Sequence, residues 1–146
     1  MSNHNGNGHV VIDEKKKYAS RQHRNGKIKK KKRSGFREDL GHYCKNAWVA
    51  NYARVLKHLK IDYDFKCKKF ELRQNGIIKY YYTPDLYIPS LNEYVEIRRN
   101  TTKRFDKIIK MFKRIVPTEA KKLTIVDKDM YSDLLKKFKD EIDEWE

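Results

Sequence analysis

Cysteine is scarce: Cys44 and Cys67 are the two in 146 residues. Two thiols in a lysine-rich chain build no disulfide framework, and they point to free thiols in a reducing compartment. No apolar run approaches the roughly 20 residues that span a bilayer, so the chain is not expected to sit in a membrane. The opening Met1-Ser2-Asn3-His4-Asn5-Gly6 lacks the apolar stretch of a secretory signal, and a cytoplasmic location is expected. Glycines form no P-loop or Rossmann pattern. His4, His9, His23, His42 and His58 show no zinc spacing; His42 and Cys44 are close in sequence, but no second pair matches them. No internal repeat is visible. Acids are the minority charge: 20 Asp and Glu against 35 Lys and Arg leave +15. That balance excludes a positively charged partner and favours a polyanion, namely DNA, RNA or an anionic membrane face.

What is present supports one folded domain with a basic extension. The 12% aromatic content argues for a real core, because disordered chains are poor in aromatics. Residues 1–39 hold twelve Lys and Arg against Asp13, Glu14, Glu38 and Asp39, and so supply +8 of the charge. The densest stretch is Lys27-Ile28-Lys29-Lys30-Lys31-Lys32-Arg33. With so few apolar residues it does not offset the entropy of folding. Residues 1–35 are therefore read as a flexible basic arm, and residues 36–146 as the folded domain. The other end is acidic. Within residues 127–146, Leu134, Leu135, Phe138, Ile142 and Trp145 recur at helical spacing, so an amphipathic helix is expected with its acids toward solvent.

Between these ends the pattern alternates helix and strand. Leu40 to Leu59 reads as a helix with Trp48, Tyr52, Val55, Leu56 and Leu59 on one stripe. Lys60 to Arg73 alternates like a strand, with a phase slip near Lys68-Lys69. Gln74-Asn75-Gly76 is a hairpin turn signal. Ile77 to Ile88 follows as a strand interrupted by Pro84, then a turn at Pro89-Ser90-Leu91-Asn92, then a strand from Glu93 to Arg98. Thr101 or Thr102 caps a helix to about Val116, which Pro117 ends. Leu123-Thr124-Ile125-Val126 reads as a short buried strand. The expected fold is α/β, a mixed central sheet of about four strands flanked by helices, with the last strand parallel to its neighbour across a crossover.

The hairpin around Pro89–Asn92 carries the chemistry. Centred between Ser90 and Leu91, it sets Leu86 opposite Val95 and Asp85 opposite Glu96. Leu86, Ile88, Val95 and Ile97 then share an apolar face, and Asp85, Tyr87, Tyr94, Glu96 and Arg98 share the other. Like charges directly opposite on a sheet destabilise it, so folding does not recommend Asp85 beside Glu96. A divalent cation such as Mg²⁺ (or Mn²⁺) between them removes that penalty. So does a nearby Arg98, Arg99 or Lys. A cation on two carboxylates in a basic protein points to metal-assisted phosphodiester hydrolysis. Tyr80-Tyr81-Tyr82 offers rings that stack on unpaired bases, or that simply alternate between core and surface.

Pro84-Asp85, ten residues, then Glu96-Ile97-Arg98 resembles the PD-(D/E)XK nuclease signature. Joined to residues 32–41 and to Ala47-Trp48-Val49-Ala50-Asn51-Tyr52-Ala53-Arg54, it resembles small phage-encoded and intron-associated (homing) DNA endonucleases of that superfamily, over about residues 32–127. The resemblance implies a restriction-endonuclease-like core. It also implies a metal held by Asp85, Glu96 and the Ile97 carbonyl, and catalysis by Asp85, Glu96 and Arg98. DNA is the implied partner, with a second copy of the chain as a further candidate, in the cytoplasm of a host cell. The grip on DNA falls to Lys29, Lys30, Lys31, Lys32, Arg33 and Arg37. Arg98 stands where the family usually has lysine; a guanidinium is no base, but it can hold a phosphate or a water. Val49 stands where members commonly carry an acid, for which Glu38, Asp39 or Asn46 is the candidate substitute. A weakened or inactive DNA-binding relative is therefore the alternative function, and a basic RNA-binding protein the second alternative.

Deleting residues 1–33 should weaken DNA binding and flatten its dependence on salt, by about 0.9 in the log–log slope for each phosphate that the arm neutralises. Titration of a labelled duplex at several salt concentrations measures it; an unchanged slope would assign the grip to the folded part.

Overall fold

Asn75 and Gly76 have φ of 53° and 78°, the left-handed pair that a two-residue hairpin turn requires. They join β4 (Phe70–Gln74) to β5 (Ile77–Tyr82), as the sequence predicts. The computed structural model describes residues 34–66 and 68–146. The basic arm with Lys29, Lys30, Lys31, Lys32 and Arg33 lies outside the described residues, as does Cys67.

The described chain forms two compact units: residues up to Tyr52 with Glu144–Glu146, and Ala53–Asp143. In the first, β1 (Gly35–Arg37) and β2 (His42–Cys44) pair antiparallel, and α1 (Ala47–His58) begins. β1 thus starts one residue before the expected domain boundary. The expected helix start at Leu40 is corrected. Gly41 has φ of 75° and its N–H reaches the Arg37 carbonyl at 2.8 Å, so the chain turns back on itself there. Asn46 then opens α1, its Oδ1 accepting the Val49 N–H at 3.0 Å. That bond occupies one of the unpaired donors of the first turn.

The second unit holds a four-stranded mixed sheet in the order β3-β6-β7-β8, made of β3 (Asp64–Phe65), β6 (Leu86–Ile88), β7 (Glu93–Ile97) and β8 (Leu123–Val126). β6 and β7 pair antiparallel with Leu86 opposite Val95 and Tyr87 opposite Tyr94, the expected register. A single 3₁₀ turn, Pro89–Leu91, closes the hairpin, and Asn92 takes the left-handed conformation after it. β8 runs parallel to β7. α2 (Lys103–Ile115) is the crossover. Thr102 caps it, its Oγ1 accepting the Phe105 N–H at 3.1 Å. Pro117 stops α2 but opens a further turn, α3 (Pro117–Ala120), since proline suits a first helical position.

Two expectations change. Ile77–Ile88 is not one strand: β5 pairs with β4 in a separate two-stranded sheet, and Pro84 separates it from β6. α4 (Lys128–Phe138), capped by Asp127, ends at Phe138 and does not reach Trp145. Beyond it stand Asp140, Glu141, Asp143 and Glu144. Acids at the negative end of a helix dipole disfavour its continuation.

The core of this unit gathers Phe70, Leu72, Tyr82, Tyr94, Phe105, Ile109 and Phe112. It packs α2 onto the β4–β5 hairpin and the sheet. The Phe70 and Phe112 ring centroids are 4.9 Å apart, and those of Tyr82 and Phe112 5.0 Å, within the range of favourable aromatic pairs. Leu86, Ile88, Val95 and Ile97 are all buried, as the alternation predicts.

Val49 is fully buried in α1. Val49→Glu should therefore take a carboxylate out of water and destabilise the protein by several kcal/mol. Urea denaturation monitored by circular dichroism measures this; a variant as stable as wild type would show that the position admits an acid.

Candidate active site

Along β7 the even positions bond toward β8: the Tyr94 N–H donates to Lys122 and the Arg98 N–H to Val126. The odd positions therefore bond toward β6. Extended by two residues beyond Leu86–Val95, the register sets Ile97 against Pro84, which has no N–H to give. Asp85 intervenes with its side chain. Its Oδ2 accepts the Ile97 N–H at 2.8 Å, while its backbone carbonyl accepts the Lys66 N–H at 3.1 Å beside β3. The Pro-Asp step thus ends the ladder, turns a carboxylate onto β7, and offers the Ile97 carbonyl no donor from position 84.

Glu96 lies one residue earlier on β7. Both carboxylates are buried, each with 2% of its surface exposed. The Tyr82 hydroxyl donates to Glu96 Oε1 at 2.9 Å, and Arg98 Nε donates to Oε2 at 3.2 Å. The Arg98 guanidinium stacks 3.7 Å from the centre of the Phe105 ring, in the first turn of α2. A guanidinium over an aromatic face gains from the ring quadrupole and is held in place. Burial first, and then the nearby charges of Glu96 and Asp85, push the Tyr82 hydroxyl far above its usual range. It therefore remains a neutral donor to Glu96.

The site thus brings together Asp85, Glu96, Ile97 and Arg98, four of the expected residues, on one hairpin. Its oxygen donors suit a hard divalent cation, which takes one or two carboxylates and keeps several waters. Among the described residues no group of three or more His, Cys, Asp and Glu forms a fuller cage.

Arg37 is a correction. It is fully buried, and its Nε and Nη2 reach the Glu146 carboxylate at 2.6 and 3.0 Å, with Nη1 on the Gly35 carbonyl at 2.9 Å. A side chain so enclosed is part of the fold, not of a DNA-gripping surface. Asn51 is buried too; its amide brackets the Glu146 backbone, with 3.1 Å bonds in both directions. Asn46 is taken up in capping α1, and Glu38 is exposed. His42 Nδ1 comes within 3.6 Å of Cys44 Sγ, and burial lowers its pKa, which favours a neutral ring in the first unit.

Tyr82 and Phe105 were not legible as site residues. Tyr82 sits in a run of three tyrosines, and only strand alternation turns it inward while Tyr81 stays half exposed. Phe105 reads as an ordinary core position of α2.

No family model matches this chain, and neither a curated protein nor a solved structure matches it. No helix among the described residues is long and apolar enough to cross a membrane.

Tyr82→Phe should keep the ring packing but leave Glu96 short of a donor, costing about 1–3 kcal/mol of stability. Urea denaturation measures this, and a neutral effect would show that the hydroxyl is dispensable to the buried carboxylate.

Proposed function

We propose that the protein is a Mg²⁺-dependent DNA endonuclease of the PD-(D/E)XK type, of the phage or mobile-element kind, hydrolysing phosphodiester bonds. One observation carries this reading: two buried carboxylates, Asp85 just before β6 and Glu96 on the neighbouring β7, stand in a chain of net charge +15. Asp85, Glu96 and the Ile97 carbonyl would hold the metal, which when bound supplies an activated water and stabilises charge on the phosphate. Asp85, tied to the Ile97 N–H, keeps its carboxylate in one orientation. Tyr82 orients Glu96 in the same way. Arg98, stacked on Phe105, is permanently charged and can hold a phosphate oxygen, but cannot take a proton from water.

A second reading has its own support. The ion pair between Arg98 and Glu96 already offsets the charge of one carboxylate without a metal. It favours a DNA-binding relative that has lost or weakened cleavage.

Supercoiled plasmid incubated in Mg²⁺, Mn²⁺ or EDTA tests both. The endonuclease should nick in metal and stop in EDTA. Asp85→Asn and Glu96→Gln should each lower cleavage by about 100-fold or more, because several kcal/mol of charge stabilisation go with the metal. Both should bind DNA as well or more tightly, having lost repulsion from phosphate. Cleavage by the double variant at the wild-type rate would overturn the assignment. Binding without cleavage by the wild type, on duplex, branched and single-stranded DNA, would establish the second reading.

A further inference from the structure

The two longer helices of the Ala53–Asp143 unit are charged very differently. α4 mixes Lys128, Lys136 and Lys137 with Asp129 and Asp133. α2 carries Lys103, Arg104, Lys107, Lys110, Lys113 and Arg114 against the single acid Asp106. At 100° per residue, Lys103, Lys107, Lys110 and Arg114 fall within an arc of about 60°. Phe105, Ile109 and Phe112 are buried on the opposite side. All four cations are exposed, and among the described residues none takes part in an ion pair.

Folding does not account for this stripe. Like charges three and four residues apart on a helix weaken it. Lys103 in the first turn also faces the positive end of the helix dipole. A helix that needed only solubility would mix its signs, as α4 does. The stripe is instead what a polyanion would stabilise, and along the helix axis it begins level with the site. It starts in the same turn as Phe105, the ring beneath Arg98.

We propose that the Lys103, Lys107, Lys110 and Arg114 face of α2 binds the sugar–phosphate backbone of duplex DNA. It leads the strand away from the Asp85–Glu96 hairpin, and only this direction rests on the endonuclease reading. A duplex is the fitting form of polyanion. The stripe is a straight rod about 16 Å long. Duplex DNA is likewise stiff over about 150 base pairs. It presents one phosphate charge per about 1.7 Å of axis, twice the density of either strand.

The test is fluorescence anisotropy of a labelled 20-base-pair duplex, in EDTA, across a salt series. Lys107→Gln with Lys110→Gln should lower the log–log salt slope by about 1.8, or about 0.9 for each phosphate no longer neutralised. Lys136→Gln with Lys139→Gln removes the same charge from exposed positions in and just after α4, and should leave the slope unchanged. Lys107→Arg with Lys110→Arg should retain the wild-type slope, which separates lost charge from any damage to the helix. An unchanged slope in the α2 glutamine variant, or an equal fall in the α4 control, would overturn the proposal. A fall seen with single-stranded DNA but not with the duplex would overturn the choice of duplex. Because no metal is present, failure here beside intact Mg²⁺-dependent nicking would remove this surface and leave the endonuclease standing. A slope lowered as expected in the α2 variant, beside absent nicking by the wild type, would do the reverse.

Discussion

The bond from the Ile97 N–H to Asp85 Oδ2, 2.8 Å long, is the constraint on which the arrangement of the site depends. Side chains alternate along a strand with a period of two, so a slip of one residue would turn every one to the wrong face. The Pro89–Leu91 turn and the left-handed Asn92 set the register at one end of the hairpin. Asp85 closes it at the other, where Pro84 has no N–H for the ladder. The same side chain thereby does two things. It accepts the Ile97 N–H in the place of a backbone carbonyl and fixes a carboxylate against β7, the strand that carries Glu96. Proline and aspartate thus act on different groups of Ile97: Pro84 has no N–H to offer its carbonyl, and Asp85 accepts its N–H.

Burying two carboxylates is costly, since even after relaxation each unpaired ion loses several kcal/mol on leaving water. The structure offsets this with donors aimed at particular oxygens. Ile97 gives a backbone N–H to Asp85, Tyr82 a hydroxyl to Glu96, and Arg98 a charged N–H to the other Glu96 oxygen. Bonds to charged groups contribute about 1.5–3 kcal/mol each, more than neutral ones. These donors are held by the hydrophobic core. Tyr82 packs on Phe112, and Arg98 lies on Phe105. Both phenylalanines belong to α2, so the helix that crosses from β7 to β8 also supports the polar site.

Features set by neighbouring residues were legible in the sequence. The Asn75-Gly76 turn, the Thr102 cap, the β6–β7 register and the β8 strand need only local patterns, and all stand where expected. What was missed depends on distant partners. Arg37 lies in a basic stretch, and nothing near it reveals that its guanidinium meets Glu146, 109 residues away in sequence. Glu146 reads as one more solvent-facing acid for the same reason. The β1–β2 hairpin escaped because strands of three residues carry too little periodicity to compete with the helical pattern that follows. At the candidate site the acids and Arg98 were legible, because chemistry and register single them out. Their supports were not, since Tyr82 and Phe105 are core residues by composition and acquire a role only through contacts across the fold.

The distribution of charge follows from the same geometry. Asp85 and Glu96 are buried on the β6–β7 hairpin, while the cations of α2 lie on its exposed side, opposite Phe105 and Phe112. At the exposed face of α2 the attraction of a cation for a phosphate is screened by solvent, with a Debye length of about 8 Å at physiological salt. Nearer the hairpin the carboxylates repel it, and burial weakens the screening. Arg98 stands at this change of sign, with its ring support on the helix and its Nε on Glu96. A lysine there would bring a mobile ammonium on a flexible stem, whereas the planar guanidinium can lie flat on Phe105 and still point an N–H at the carboxylate. The arginine is thus matched to the phenylalanine beneath it. In this chain the identity of residue 98 is a property of the hairpin and α2 together.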